Sequence, residues 1–105
     1  MSKAFVVAEI CVTDPEKYAD YRVLSTAANE QYGGKFLVRG GERVQLEGMD
    51  GSHNRNWRTV VVEFPTMEAA RAWYDSPEYT TARQIRNASS IGRLFIIEGF
   101  EAPAG

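Results

Sequence analysis

The chain is poor in the residues that build most recognisable sites. It has one cysteine, Cys11, and one histidine, His53, among 105 residues. A lone thiol excludes an internal disulfide and suits a reducing cytoplasm. One His and one Cys are too few for a transition-metal site within a protomer. There is no Walker or dinucleotide glycine motif and no serine in a nucleophile elbow, so no cofactor is expected. No stretch approaches the ~18 apolar residues of a membrane span. Met1-Ser2-Lys3 leads straight into a strand-like segment, so no signal peptide is expected. An excess of positive charge is missing too. With 12 basic and 14 acidic residues the formal net charge is -2, which gives no basic face for nucleic acid.

What remains is an ordinary globular chain of one domain, residues 1–105. It is 44% hydrophobic, 25% charged and 11% aromatic. The first apolar run, Ala4 to Val12, is β-branched and closed by Thr13-Asp14-Pro15, hence a strand. Asp14 caps and Pro15 opens a helix reaching about Tyr32, with Gly33-Gly34 as its stop. Tyr18, Tyr21, Ser25, Ala28 and Tyr32 share one helix face. Lys35 to Arg39 is a second strand, which Glu42 to Glu47 is expected to extend past a bulge at Gly40-Gly41. The stretch Gly48 to Asn56 reads as a polar loop, and Trp57 to Phe64 as a third strand. Thr66 starts a helix with a Met67, Ala70, Trp73, Tyr74 stripe. Ser76-Pro77 restarts it as far as about Ala88. Arg93 to Phe100 is the fourth strand. This order is the split βαβ of an α+β, ferredoxin-like βαββαβ protomer.

The first and fourth strands are apolar on both faces. Val6, Ala8, Ile10 and Val12 alternate with Phe5, Val7, Glu9 and Cys11, and Leu94 and Ile96 alternate with Phe95 and Ile97. Two helices cover only one face of a sheet, so the other needs a partner. The expectation is a symmetric homodimer with sheet packed on sheet.

These residues resemble domain of unknown function family 1330, in the dimeric α+β barrel superfamily. The resemblance rests on Thr13-Asp14-Pro15 with Tyr18 and Tyr21, Tyr32-Gly33-Gly34, Val38-Arg39-Gly40-Gly41, Val62-Glu63-Phe64-Pro65, and Trp73-Tyr74-Asp75-Ser76-Pro77-Glu78-Tyr79. It implies a dimeric α+β barrel and no established activity. Wider relatives, among them antibiotic-biosynthesis and haem-degrading monooxygenases, imply a ligand site between sheet and helices, an analogy of fold. The only histidine lies in the polar loop, which counts against a haem-degrading site.

Candidate site residues follow from residue type and position. Glu9 and Glu63 are carboxylates inside apolar strands; paired in an apolar cavity, one would titrate near neutrality and move a proton, and the competing reading is that each lies near a strand end and pairs with an arginine or meets solvent. Arg39 ends a strand before two glycines and could grip a carboxylate or phosphate bidentately. The competing reading pairs Arg39 with Glu47, Glu63 or Glu98. Tyr21, Trp73 and Tyr79 could wall an apolar pocket, or simply fill the core. The expected function is a small-molecule pocket for an anionic or aromatic ligand, with cofactor-free isomerase, lyase or monooxygenase chemistry. The alternative is a non-catalytic dimeric ligand-binding or stress-related module whose polar groups are structural pairs.

Overall fold

A computed structural model describes residues 2–48 and 57–101. Most of the expected polar loop, with His53, and the end of the C-terminal tail lie outside the described residues. The elements run β1 (Ala4–Val12), α1 (Pro15–Gln31), β2 (Lys35–Arg39), β3 (Trp57–Phe64), α2 (Met67–Asp75), α3 (Pro77–Ser89) and β4 (Ser90–Glu98). The four strands form one sheet in the order β2-β3-β1-β4, with every neighbouring pair antiparallel. This is the ferredoxin-like α+β protomer expected from the order of elements.

Each helix is started by its sequence. The Asp14 carboxylate accepts from the Lys17 amide at 3.2 Å, and Pro15 fills the first helical position, where no N–H is needed. Thr66 Oγ1 accepts from the Ala69 amide at 3.0 Å and starts α2. Ser76 serves two helices at once. Its hydroxyl donates to the Trp73 carbonyl at 2.6 Å, at the end of α2, and accepts from the Tyr79 amide at 3.1 Å, at the start of α3. Gly33, with φ +83°, ends α1, and the Gly34 amide turns back to the Asn29 carbonyl at 2.7 Å.

The helices cover one face of the sheet. Ala4, Val6, Ala8 and Ile10 of β1 and Val62 and Phe64 of β3 are buried there against Tyr21 and Ala28 of α1, Trp73 of α2, and Tyr79 and Ala82 of α3. Trp73, Tyr79 and Phe64 are the largest fully buried side chains. Truncating an aromatic of this kind costs about 3–5 kcal/mol, so they anchor the layer. The opposite face carries Phe5, Val7, Cys11 and Val61, with Phe95 41% and Ile97 52% exposed. Both faces are apolar, as the strand patterns require.

Two boundaries differ from expectation. No strand follows Arg39; the bulge lies earlier, between Phe36 and Val38, and residues 40–48 are irregular. β4 begins at Ser90, because Val12 pairs with Ser90 and the Thr13 amide donates to the Ser89 carbonyl at 2.8 Å. Pairing with β1 overrides the weak strand character of Ser90-Ile91-Gly92.

Candidate functional site

The bulge in β2 decides which way Arg39 faces. Lys35 lies opposite Glu63 and Phe36 opposite Val62. After the shift, Val38 lies opposite Val61 and Arg39 opposite Val60. Strict alternation from Phe36 would send Arg39 to the open face. The extra residue returns it to the helix side, which is how bulges re-aim a side chain. Gly40 then turns away with φ +69°, and its amide donates to the Thr59 carbonyl at 2.9 Å.

Arg39 thereby lines a cavity beneath α1. The floor is Ala8, Ile10, Val60 and Val62; the roof is Tyr18, Tyr21, Ser25 and Asn29; Trp73 closes one end. The closed part measures about 30 Å³, room for roughly one water molecule. It adjoins an open trough of about 570 Å³ that shares Tyr18, Arg22 and Arg58. Arg22, Arg39 and Arg58 all line the cavity. Arg39 Nη2 donates to Thr26 Oγ1 at 2.8 Å, and its guanidinium lies 4.2 Å from the Phe36 ring centre. The Arg58 guanidinium lies 5.7 Å from the Tyr18 ring centre and rests against Gly40, where any Cβ would collide with it. Among the described residues, none of the three arginines has a carboxylate within salt-bridge distance. Arginines around an apolar hollow suit a carboxylate or phosphate, which a guanidinium can grip bidentately.

Deeper polar atoms are also without partners. Asn29 Oδ1, Trp73 Nε1 and Arg58 Nε are buried with no hydrogen-bond partner among the described residues, and all three side chains line this cavity. Asn29 and Trp73 are each only 2% exposed. Buried polar groups are nearly always paired, so three orphans on one cavity mark it as a place for a polar ligand. The phenols nearby stay protonated at neutrality. Burial pushes the Tyr21 hydroxyl well above its ordinary value, with Tyr79, 3.0 Å away, adding to the shift. Burial also raises Tyr79 and Tyr18, against the pull of Arg86 on the former and of Arg58 and Arg22 on the latter.

The glutamates are elsewhere. Glu9 and Glu63 were expected to share a cavity, but both occupy the open face, opposite Thr59 and Phe5 respectively. Four positions separate them, about 13 Å along the strand. Glu9 is held by Arg93 at 3.2 Å and Arg43 at 3.3 Å. The Arg93 hydrogen bond in particular, aided by Arg43, keeps its carboxyl below the usual range against the opposing effect of burial. It is therefore not poised near neutrality. Glu63 meets Lys3 at 3.5 Å. Tyr79 is corrected as well. It lies behind the wall, stacked 4.0 Å from Trp73 and bonded to Tyr21, and does not line the cavity. Tyr21, Trp73 and Arg39 come together as expected. Within the protomer, among the described residues, Arg39 forms no salt bridge with Glu47, Glu63 or Glu98.

Asn29, Ser25 and Arg58 were not singled out as site residues, yet the pattern contained them. Asn29 is eight residues beyond Tyr21 on the buried stripe of α1, and Arg58 alternates with Val60, Val62 and Phe64. A charge in step with a core-facing run was the signal. Among the described residues, no three His, Cys, Asp or Glu side chains group as a metal site needs.

A family model described as a domain of unknown function, DUF1330, matches residues 3–100. The chain belongs to this family. No curated protein matches it. Among solved structures, the DUF1330 chain is similar to a Rhodopseudomonas palustris protein of unknown function, at 21% identity over 96% of this chain and 85% of that one, TM-score 0.76. It is similar to SnoaB, a cofactor-independent oxygenase from Streptomyces nogalater, at 13% identity over 97% of both chains, TM-score 0.64. It is also similar to a candidate antibiotic biosynthesis monooxygenase from Caulobacter crescentus, at 17% identity over 97% of this chain and 92% of that one, TM-score 0.60. These likenesses show the fold alone, a ferredoxin-like α+β protomer.

Proposed function

We propose that this DUF1330 protein binds a small anionic molecule with an apolar or aromatic body in the cavity beneath α1, and acts on it without a cofactor. The carrying observation is the convergence of Arg22, Arg39 and Arg58, without carboxylate partners among the described residues, on an apolar hollow. Arg39 grips the anion, Arg58 and Arg22 add charge, and Tyr21 and Trp73 form walls. The described lining offers donors and cations but no carboxylate or imidazole. Its chemistry is therefore the stabilisation of negative charge, on a substrate acidic enough to supply its own anion. An oxygenase or isomerase step on such a substrate fits, and the shared fold with a cofactor-independent oxygenase supports that choice. The same lack of a base favours, as a second reading, a module that releases its ligand unchanged. The functional unit is a homodimer closed by the apolar open faces of two sheets.

The test is a ligand-detected NMR screen of small carboxylates, phosphates, amines and neutral aromatics. Anions should bind the wild-type protein, and Arg39→Ala should weaken them about tenfold or more, the worth of a charged hydrogen bond. Amines binding equally well, or no effect of Arg39→Ala, would contradict the reading. Chromatography of the incubated hits separates turnover from release.

A further inference from the structure

The cavity has two chemically different ends. α1 runs along it from Tyr18 to Asn29, about 16 Å at the helical rise. One end is cationic. Arg58 lies opposite Ile10 on the sheet, beside Tyr18, and joins the open trough through Arg22. The other end is closed. Asn29 sits at the last turn of α1, where its carbonyl accepts from Gly34, and the Trp73 ring centre is 5.3 Å from that of Phe64. Phe64 also lies close against Gly34, so both orphaned groups belong to this end.

The two orphans ask for opposite things. Trp73 Nε1 can only donate, and Asn29 Oδ1 can only accept. A second carboxylate would satisfy the indole but set a negative charge against the amide oxygen. An ammonium would satisfy the amide oxygen and leave the indole bare. A hydroxyl both donates and accepts, and so meets both. Between the ends the floor and roof are aliphatic and aromatic. We infer that the ligand is a slender hydroxy acid, its carboxylate among Arg22, Arg39 and Arg58 and its hydroxyl between Asn29 and Trp73. This rests on the anion-binding reading above and adds the class of molecule. The closed part holds about one water molecule, the size of a hydroxyl, and the rest of the ligand lies towards the open trough shared through Tyr18, Arg22 and Arg58. A single water bridging the orphans is the competing occupant, and it makes a different prediction.

Three probes separate the ends: 3-(4-hydroxyphenyl)propionate, 3-phenylpropionate, which lacks the hydroxyl, and 4-ethylphenol, which lacks the carboxylate. Calorimetry and the indole N–H resonance of Trp73 are read on the full chain. The hydroxy acid should bind at least tenfold tighter than 3-phenylpropionate, since a missing partner leaves buried groups unpaired. It should also shift the Trp73 resonance. Asn29→Leu should reduce that advantage to within twofold. If that variant does not fold, Trp73→Phe keeps the ring and should lose the advantage in the same way. Equal binding of the two acids, both sensitive to Arg39→Ala, overturns the hydroxyl assignment and leaves the anion reading standing; this is the result a retained water gives. Binding of 4-ethylphenol as tight as the hydroxy acid, insensitive to Arg39→Ala, overturns the anion reading and with it the hydroxy acid. No binding of any probe overturns both.

Discussion

At the scale of single residues, the site depends on one glycine that touches no ligand. Gly40 has φ +69°, and a Cβ there would run into the Arg58 guanidinium. Gly40→Ala should therefore do two things. It should cost about 1 kcal/mol or more of stability for the left-handed backbone, measured by urea unfolding. It should also move Arg58 and weaken binding of 3-phenylpropionate, measured by calorimetry. Loss of stability without loss of affinity would detach Arg58 from the site. Glu9 gives a prediction in pH. Its carboxyl is held below the ordinary value, chiefly by the hydrogen bond from Arg93. A depressed folded-state pKa adds stability that is present above the unfolded value and is lost as pH falls through the folded one. Glu9→Gln should thus lower the denaturation midpoint at pH 7, and the gap from wild type should narrow towards pH 3. The sequence showed Arg39, Tyr21 and Trp73, because strand ends and helix stripes are local. It could not show that Glu9 and Glu63 face away from Arg39. That depends on a bulge, which shifts the alternation by one, and no residue type near Leu37 announces it.

At the scale of elements, the junction of α2 and α3 sets the aromatic wall. Trp73 is in the last turns of α2 and Tyr79 in the first turn of α3, and their rings lie 4.0 Å apart. The Ser76 hydroxyl bonds backbone groups of both residues. Ser76→Ala removes the cap and should cost about 1 kcal/mol, read as a lowered unfolding midpoint, with a change in the near-ultraviolet circular dichroism of the stacked rings. An unaltered aromatic spectrum would mean that packing alone holds the wall. Elements of this kind were legible. Ser76-Pro77 and Asp14-Pro15 state their helix starts in two residues. β2 was legible in place but not in extent. The alternation of Glu42 to Glu47 mimics a strand, yet β3 pairs with β2 only as far as Val60 opposite Arg39. Strand character without a partner does not make a strand.

At the scale of the whole molecule, the open face of the sheet is the largest unanswered surface. Phe95 and Ile97 stand half-exposed beside Val7 and Phe5, and the Glu9, Arg43 and Arg93 cluster sits among them. Half-exposed apolar side chains of this size around an ion-paired centre suit an association surface. Phe95→Lys places a charge on that face without entering the helix-side core. The wild-type protein should sediment as a dimer at micromolar concentration and the variant as a monomer with the same circular dichroism. A monomeric wild type would leave the open face without its proposed role.

The claim on which the rest depends is that the cavity beneath α1 is where an anion binds. It is tested most directly by titrating the nitrogen-15-labelled protein with 3-phenylpropionate and following individual N–H resonances. The account predicts that Arg58 Nε–H and the Tyr21 and Ser25 amides shift together with a single Kd, while Val7 and Phe95 on the open face stay still. Shifts confined to the open face, or no shift at Arg58, would contradict it.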